Sequence, residues 1–464
     1  MLNVEGLSYV KRITHCRACG SAALSPAFTL EGTSVDSNRK RLLGRTKAGA
    51  VEFVLCDPSR DVHACGLLQN AVATEAPRRA LAPSAAFRTT RSSLRSLATE
   101  GLELISGRDC AALDIGCSDG TLLSFYPRWV DRYGVDPSDD IEQIGDWAWS
   151  AKASFPSADV DRAFAGKKFD LITAASVLEE INEPRAFFAR IKALLTDDGV
   201  FAAETLYAAM TLTRTAADAF SSGVAAIYSI SVLERLLRDC DLKIFRGALT
   251  EKDGGSLRLF VTHASASDYD FDPWYERLAQ LWDEENALAL RSRAPYQAFE
   301  GRCDEARRAF AELMTGVARK GERAHVFGAD AAAQMLYAWA GKGANSIEAA
   351  VGPGDIEDGA RLFAGGPSVI PEAESRAIEP DYLIAPVALK REILERWRDP
   401  VLRGAKVLFA MPYPHVVHAG NYATEFGKSL AGGDGAGGAD NLRGILKAAG
   451  GLRLVADRDD RRSA

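Results

Sequence analysis

Short apolar runs alternate with helix-length segments along the middle of the chain, between residues 110 and 263. This alternation is typical of βαβ units and predicts a mainly parallel sheet. Asp253-Gly254-Gly255-Ser256 separates the last two runs and predicts a hairpin turn, which places an antiparallel pair at one edge of the sheet. The predicted strands are Ala111–Ile115, Tyr133–Asp136, Phe169–Ala174, Val200–Glu204, Leu242–Phe245 and Leu257–Thr262.

The same alternation returns nearer the C-terminus, after a stretch with helical periodicity. Residues 266–322 have apolar positions three to four apart, over Trp274–Ser292 and Phe299–Arg319, and predict a helical bridge. Residues 323–430 then predict a second, smaller α/β domain, and residues 431–464 a flexible segment and tail. The strands predicted in the second domain are Ala324–Gly328, Ser346–Val351, Asp381–Ile384 and Lys406–Phe409.

The N-terminal region differs in pattern from both α/β regions. Residues 1–80 have few periodic helices and predict a small, loop-rich module. Such a module could not bury a large core and needs an additional stabilising element, such as disulfides or a metal ion. Residues 85–265 form the central domain, which a helix predicted over Phe87–Ile105 leads into. The expected fold class is therefore α/β, with two α/β domains and a small module in front of the first.

Composition and charge narrow the class of protein. The 464 residues suggest two to four domains on a prior of roughly 150 residues each, and 47% hydrophobic with 26% charged residues is ordinary for a globular protein. No apolar run approaches the roughly 18 residues of a membrane span, and residues 1–12 do not resemble a secretory signal. The net charge of −7 disfavours nucleic acid. We expect a cytoplasmic protein with a small-molecule substrate and no nucleic-acid or membrane partner.

Cysteines crowd the N-terminal module, where Cys16, Cys19, Cys56 and Cys65 supply four of the eight in the chain. In a protein expected to be cytoplasmic, this clustering favours a metal over disulfides, and four thiolates suit a structural, tetrahedral Zn²⁺. Eight residues separate Cys56 from Cys65, more than in a usual zinc knuckle, so His63 is an alternative ligand in place of either. The competing interpretation is a set of buried thiols.

A cofactor loop is predicted directly after the first central strand. Gly116 follows Asp114 where the chain turns sharply, and Gly120 opens a helix predicted over Thr121–Tyr126, whose free N–H groups can face a ligand. Asp136 ends the next strand, where its carboxylate can accept both ribose hydroxyls. The third glycine of a dinucleotide loop is missing, so S-adenosylmethionine (SAM) is preferred to NAD. The predicted cofactor-binding residues are Asp114, Gly116, Cys117, Ser118, Asp119, Gly120, Asp136 and Pro137.

The alternative interpretation of the Asp114–Gly120 loop is a tight strand-to-helix turn that binds no cofactor. Later segments of the central domain favour the cofactor loop. Phe169–Ile172, Val177–Ile181 and Leu194–Val200 look like the later motifs of class I methyltransferases. Over nearly its whole length, the chain resembles the sugar C-methyltransferase family. The segments that carry this resemblance are Cys16–Gly20, Ala64–Gln69, Asp114–Gly120, Gly254–Arg258, His325–Ala329, Pro380–Ile384 and Lys406–Pro414.

The resemblance implies three modules in the order found here: a zinc-binding domain, a SAM-dependent methyltransferase domain, and a Rossmann-like domain that helps to hold a nucleotide-linked keto sugar. The implied reaction removes a proton from the carbon beside the sugar ketone, and the enolate then attacks the sulfonium methyl group. Such a reaction requires a positioned general base.

The chain departs from the family where that base is expected. A Tyr-His-Glu-His segment supplies it in the family, whereas Ser221-Ser222-Gly223-Val224 stands there in this sequence, and Cys240 and Glu180 likewise stand where histidines are usual. The alternative interpretation of Glu180 is a solvated carboxylate on a helix, and that of Tyr207 and Tyr228 is packing in the core. The remaining catalytic candidates are Glu204, Tyr207, Tyr228 and Glu180, and the substrate-binding candidates are Gly255, Ser256 and Arg258, the last as a partner for a diphosphate.

Three hypotheses about function follow from these observations. The first is a SAM-dependent methyltransferase of a nucleotide-linked sugar, with C-methylation implied by the resemblance and O- or N-methylation favoured by the missing base. The second is a zinc-containing RNA methyltransferase, which the acidic balance of the chain disfavours. The third is a SAM-binding scaffold without catalysis.

Overall fold

A computed structural model describes most of the chain, and the described residues are 11–32, 49–73, 87–105, 110–354, 356 and 358–428. The tail predicted at residues 431–464 lies outside them, as do parts of the module predicted at residues 1–80. In the described part of the chain, no helix has the length and apolar character needed to cross a membrane.

The N-terminal module is an antiparallel β-structure. Its strands are β1 (Lys11–Arg12), β2 (Leu24–Glu31), β3 (Ala50–Cys56), β4 (Leu68–Asn70) and β5 (Val72–Ala73). The main sheet runs β2, β3, β4 and then Ala226–Ile227, a strand that belongs to the central domain. The prediction of a loop-rich module with little core was wrong. Phe53 and Leu55 are fully buried, because the module shares its sheet and its core with the central domain.

The central domain is built on a seven-stranded sheet. The strands of the domain are β6 (Ala111–Ile115), β7 (Asp131–Asp136), β8 (Trp149–Lys152), β9 (Phe169–Ala175), β10 (Leu195–Leu206), β11 (Ala226–Ile227), β12 (Leu242–Thr250) and β13 (Ser256–His263), of which β11 belongs to the sheet of the N-terminal module. The seven-stranded sheet has the order β12-β13-β10-β9-β6-β7-β8. It is parallel except for β13, which is antiparallel to both neighbours, so the predicted parallel sheet and its antiparallel edge are confirmed. The helices are α1 (Arg88–Leu104), α2 (Ala158–Ala163), α3 (Pro184–Leu194), α4 (Ala208–Thr213) and α5 (Ile230–Arg238).

One predicted helix of this domain does not form. The sequence pattern predicts a helix over Thr121–Tyr126, but only Leu123–Phe125 makes a short 3₁₀ turn. Tyr126 is extended, at φ −69° and ψ 137°. It precedes Pro127, and a proline disfavours helical geometry in the residue before it. The chain therefore leaves the cofactor loop by a turn rather than by a helix.

Two helices, α6 (Asp272–Ala287) and α7 (Ala294–Arg319), form the bridge to a second sheet. This sheet has the order β16-β15-β14-β17-β18-β19 and is parallel except for its last strand. Its strands are β14 (Ala324–Phe327), β15 (Ile347–Gly352), β16 (Ser368–Pro371), β17 (Tyr382–Ala385), β18 (Lys406–Phe409) and β19 (His415–Val417). Its helices are α8 (Ala331–Trp339), α9 (Glu372–Ile378), α10 (Lys390–Arg396), α11 (Arg398–Arg403) and α12 (Tyr422–Gly427).

Aromatic packing joins the module, the central domain and the bridge. Phe220 of the central domain meets Phe28, Phe53 and Phe299 at ring-centroid distances of 5.0, 4.9 and 5.2 Å. Such edge-to-face and tilted pairs add specific geometry to the buried area. The segment that follows Phe220 is the one in which the catalytic base is expected, so this core fixes its position.

The C-terminal domain also holds the central domain directly. The Glu392 carboxylate on α10 accepts hydrogen bonds from the backbone N–H groups of Arg88 and Thr89 at 3.0 and 3.1 Å. These are unpaired donors at the start of α1, so a residue of one domain caps a helix of the other. These hydrogen bonds hold the two domains against each other at the start of α1.

Candidate active site

The loop after β6 has the backbone of a ligand cradle. Gly116, Ser118 and Gly120 have φ values of +72°, +46° and +77°, in the left-handed region that favours glycine. A Cβ on Gly116 would lie 2.5 Å from Cγ2 of Val177, and one on Gly120 would lie 2.8 Å from Ile144. The loop therefore has no room for side chains at its two glycines.

Asp136, at the end of β7, ties this loop to the next strand. Its Oδ2 accepts from the backbone N–H of Ser118 at 3.0 Å, and its Oδ1 accepts from the backbone N–H and hydroxyl of Ser138 at 2.7 and 2.5 Å. Pro137 lies between Asp136 and Ser138 in this turn. A carboxylate oxygen has more than one lone pair, so Asp136 keeps acceptor capacity for ribose hydroxyls.

Three other predicted cofactor residues shape the loop from within. Asp114 is buried and accepts from the Thr173 hydroxyl at 2.7 Å, and burial raises the pKa of its carboxyl to about 8. The Cys117 sulfur packs against Gly134 of β7, where a Cβ would come within 2.7 Å of it. Asp119 accepts from the backbone N–H of Thr121 at 3.0 Å. Their side chains support the cradle.

A buried cation lies at the carboxyl edge of the sheet, beside this cradle. Lys252, in the turn between β12 and β13, is 5% exposed and donates to the Ser176 hydroxyl and, at 2.6 Å, to Asp253. Ser176 follows β9 directly and precedes Val177, the residue that covers Gly116. Burial lowers the pKa of Lys252, but the carboxylates of Asp253, Glu204 and Glu179 outweigh it and raise that pKa, so the ammonium stays charged.

The four N-terminal cysteines converge on one point. Their sulfur atoms all lie within 4.8 Å of one another, with Cys16 to Cys65 at 3.6 Å and Cys19 to Cys56 at 3.5 Å. Tetrahedral zinc with bonds of about 2.3 Å sets neighbouring sulfurs about 3.8 Å apart, so the geometry fits Zn²⁺. His63 is exposed and is not part of this cluster.

Comparison with known families decides the class of the protein. Residues 75–246 match the family model of a methyltransferase domain, and residues 251–412 match the model of a C-methyltransferase C-terminal domain. The chain is a SAM-dependent methyltransferase. The predicted class I fold is confirmed, and SAM is its cofactor.

Solved structures are similar to this methyltransferase over part of its length. A SAM-dependent methyltransferase from Clostridium acetobutylicum is 14% identical with a TM-score of 0.32, over 39% of this chain and 94% of the other. Magnesium protoporphyrin IX methyltransferase from Synechocystis is 15% identical with a TM-score of 0.29, over 39% and 80%. No curated protein matches the chain. Scores this low do not bear on the acceptor.

Two predicted site residues of the methyltransferase bind each other. Glu204 is fully buried, and its Oε2 accepts from both Nε and Nη2 of Arg258 at 3.2 and 2.6 Å. The third guanidinium nitrogen donates to Ser96 and Glu100 of α1 at 2.7 and 2.5 Å. The prediction that Arg258 pairs with a substrate diphosphate does not fit this placement, because protein acceptors engage all three of its nitrogens. Glu204 is likewise a buried counter-ion.

The two candidate tyrosines are core residues. Tyr207 donates to Glu285 of α6 at 3.0 Å, and the same carboxylate accepts from the backbone N–H of Ile230 at 2.6 Å. Tyr228 is 1% exposed, its hydroxyl has no hydrogen-bond partner among the described residues, and burial raises its pKa well above the usual value. These placements suit packing better than proton transfer.

The remaining predicted site residues are Glu180, Gly255 and Ser256, which lie in the turn after β9 and at the start of β13. Glu180 is half-buried in the 3₁₀ turn Leu178–Glu180 that follows β9. Gly255, at φ +140°, and Ser256, whose hydroxyl donates to the Lys252 carbonyl at 3.0 Å, shape the turn that presents Lys252. Both residues therefore lie close to the candidate site.

Sequence reasoning missed Lys252 and Ser176. Lys252 precedes the Asp253–Ser256 turn directly, and the only available signal was a lysine beside a predicted hairpin at the carboxyl edge of a parallel sheet. Its partner Ser176 lies 76 residues earlier in the chain. The contact became visible only in the folded structure.

Replacing Gly116 by Ala should weaken SAM binding by about 10-fold or more, because the added Cβ meets Val177 and forces the loop to move. The matched control is Gly145→Ala. Gly145 has φ +56°, so it carries a similar backbone penalty, but its added Cβ meets nothing within 4 Å. Calorimetric titration with SAM checks this prediction, and equal affinities of the two variants would contradict the cradle.

Proposed function

We propose that this methyltransferase transfers a methyl group from SAM to the carbon beside the carbonyl of a nucleotide-linked keto sugar. The observation that carries the proposal is the Lys252 ammonium, buried at the carboxyl edge of β9 and held by Ser176 beside the cofactor loop. A fixed cation stabilises an acceptor that gains negative charge on oxygen, as an enolate does. The same cation disfavours an amine acceptor, which gains positive charge on methylation.

The C-terminal domain supports the choice of a large acceptor. The turn with Lys252 contacts the 3₁₀ turn Val387–Leu389, and a Cβ on Gly254 would lie 3.5 Å from that of Ala388. The C-methyltransferase C-terminal model begins at residue 251, so it includes this turn. A site bordered by both domains suits a substrate with a nucleotide and a sugar part, as the family resemblance implies.

The loop residues would hold SAM in defined roles. The backbone from Gly116 to Gly120 would receive its amino-acid end, and Asp136 would accept from the ribose hydroxyls. Asp114, Cys117 and Asp119 would keep the loop in shape from within. When bound, SAM supplies an electrophilic methyl group on a sulfonium.

A second candidate function is O-methylation of a sugar. The segment Ser221–Val224 has no imidazole or carboxylate, and a hydroxyl acceptor can be methylated largely by positioning, without a strong carbon base. A SAM-binding scaffold without turnover is the other alternative, and the experiment below distinguishes all three.

The test is deuterium exchange in heavy water. The full chain is incubated with S-adenosylhomocysteine and a panel of nucleotide-linked keto sugars, and we expect deuterium to enter the carbon beside the ketone. The matched control is the same panel with each ketone reduced to an alcohol, which has no acidic proton to exchange. Methyl transfer from SAM without exchange would establish O- or N-methylation instead, and neither exchange nor transfer would support the scaffold.

We also propose that Cys16, Cys19, Cys56 and Cys65 bind one structural Zn²⁺. The four sulfurs lie within 4.8 Å of one another, and the Cys65 backbone N–H donates to the Cys56 sulfur at 3.3 Å, a contact that supports a thiolate ligand. With four protein ligands the ion would have no open position, so its role would be to hold the module together.

A further inference from the structure

Arg91 and Arg95 on α1 bring two positive charges to one aromatic ring. Their guanidinium carbons lie 5.2 and 4.9 Å from the ring centroid of Phe125. The two arginines are four residues apart, so they are neighbours on one face of the helix, where like charges repel each other. Both are exposed, and among the residues that the structure describes neither guanidinium forms an ion pair or a side-chain hydrogen bond. The pair therefore presents two guanidiniums without a counter-ion.

Other arginines in contact with this helix are neutralised. Arg246 also stacks on a ring, with its guanidinium carbon 4.7 Å from the centroid of Phe260, but it pairs with Glu100 of α1 at 2.7 Å. Arg88, at the start of α1, pairs with Glu395. Stacking on a ring thus does not by itself leave an arginine unpaired here, and the two unpaired guanidiniums suit an anion that a ligand brings.

Helix α1 places the two arginines at the carboxyl edge of the central sheet. The Ser93 hydroxyl, between them in sequence, donates to Glu204 near the end of β10 at 2.8 Å. Eight residues later, a Cβ on Gly101 would lie 3.0 Å from Leu171, in the first half of β9. The first half of α1 therefore lies at the edge where open α/β sheets bind their ligands.

Two parts of the candidate active site lie against this half of α1. Phe125 belongs to the turn that leaves the cofactor loop, where the Ser124 backbone N–H donates to the Gly120 carbonyl at 3.0 Å. The helix also contacts the turn Lys252–Gly254, which holds the buried ammonium. The unpaired guanidiniums thus lie beside the cofactor loop, on the helix that contacts the cation proposed to face the acceptor.

We propose that Arg91 and Arg95 bind the diphosphate of the acceptor. The inference rests on the proposed nucleotide-linked substrate. Each guanidinium offers parallel N–H donors that match two phosphate oxygens, and two guanidiniums match the two negative charges of a diphosphate. Arg258 does not compete for this role, because protein acceptors engage it. The amino-acid end of SAM has its own proposed place on the backbone of residues 116–120.

The test is calorimetric titration of the full chain, saturated with S-adenosylhomocysteine, with uridine, thymidine and guanosine diphosphates. Arg91→Met and Arg95→Met each keep an unbranched side chain over Phe125 and remove one charge. We expect each variant to bind the preferred nucleoside diphosphate about 10-fold more weakly than the wild type, because a charge-assisted hydrogen-bond donor is lost. The nucleosides without phosphate should bind the wild type and both variants equally. Added salt should weaken diphosphate binding more in the wild type than in the variants.

The matched control is Lys167→Met. The Lys167 ammonium lies 4.1 Å from the ring centroid of Tyr133, so this variant also removes one positive charge from an aromatic ring. Lys167 precedes β9, at the opposite edge of the sheet. Its affinity for the nucleoside diphosphates should stay within about twofold of the wild type, since charges this far apart are screened by salt.

Affinity for SAM separates the proposal from its alternatives. It should stay within about twofold of the wild type in both arginine variants, which also shows that they are folded. A loss of SAM affinity with normal diphosphate affinity would assign the pair to the SAM carboxylate and overturn the proposal. Normal affinity for both ligands would reduce the pair to a cover for Phe125 and overturn it as well. If the wild type binds none of the nucleoside diphosphates, the proposed function itself fails.

Discussion

Replacing Glu204 by Gln should lower the free energy of unfolding by about 3 kcal/mol, because the change removes the fully buried one of the two carboxylates that pair with the Arg258 guanidinium and leaves only the partly exposed Glu100. Glu204 is fully buried and Arg258 is 3% exposed, so water cannot replace the lost charge. The Ser93 and Thr250 hydroxyls also donate to the Glu204 carboxylate, at 2.8 and 2.6 Å. Urea unfolding followed by circular dichroism measures the effect.

The matched control is Glu395→Gln, at the pair of Glu395 with Arg88. Both of its side chains are exposed, at 47% and 67%, and such a pair contributes about 0–1 kcal/mol. The double variant Glu204→Leu with Arg258→Met removes both charges and should recover much of the stability. If Glu204→Gln were as stable as the wild type but inactive, Glu204 would be a catalytic residue after all.

Replacing Cys65 by Ser should remove the zinc and unfold the N-terminal module. Structural zinc contributes apparent binding free energies of about 10–16 kcal/mol in small domains, more than a module of this size can lose. Metal content should fall from one zinc per chain, and limited proteolysis should cleave within residues 11–73. The control, Cys240→Ser, changes a half-buried thiol outside the cluster and should keep the metal.

Unfolding of the module should disturb the segments around Asn182 and Val224 but not the cofactor loop. Arg17, between Cys16 and Cys19, donates to Asn182 at 3.2 Å, and Asn70 donates to the carbonyl of Val224 at 3.1 Å. Unfolding the module would therefore free the segment after β9 and the segment before β11. SAM affinity should hold while exchange activity falls. A wild-type protein without zinc, or a Cys65→Ser variant that keeps it, would contradict the metal site.

Local patterns carried most of the prediction of the fold. Ala111–Ile115 is a strand with the predicted bounds, and the hairpin at Asp253–Ser256 does join two antiparallel strands. Patterns of this kind depend on residues a few positions apart, which is why they can be read from the chain. The helix over Thr121–Tyr126 failed because the neighbouring Pro127 outweighed the pattern.

The candidate site was less predictable, since the role of a charged side chain depends on what is buried beside it. Glu204 and Arg258 both suit substrate chemistry as isolated residues, but they lie on adjacent strands and pair with each other. Lys252 has no motif around it, and its contact with Ser176 joins two residues that are 76 positions apart. A single sequence contains neither fact.

By itself, then, the sequence determined most of the strands of the two α/β domains, the glycine loop with Asp136, and the four cysteines, because each depends on spacing along the chain. Only the tertiary structure decided that Lys252 meets Ser176, that Glu204 pairs with Arg258, and that the N-terminal module takes a strand from the central domain. These contacts join residues far apart in sequence, and burial sets the charge and basicity that give them a function.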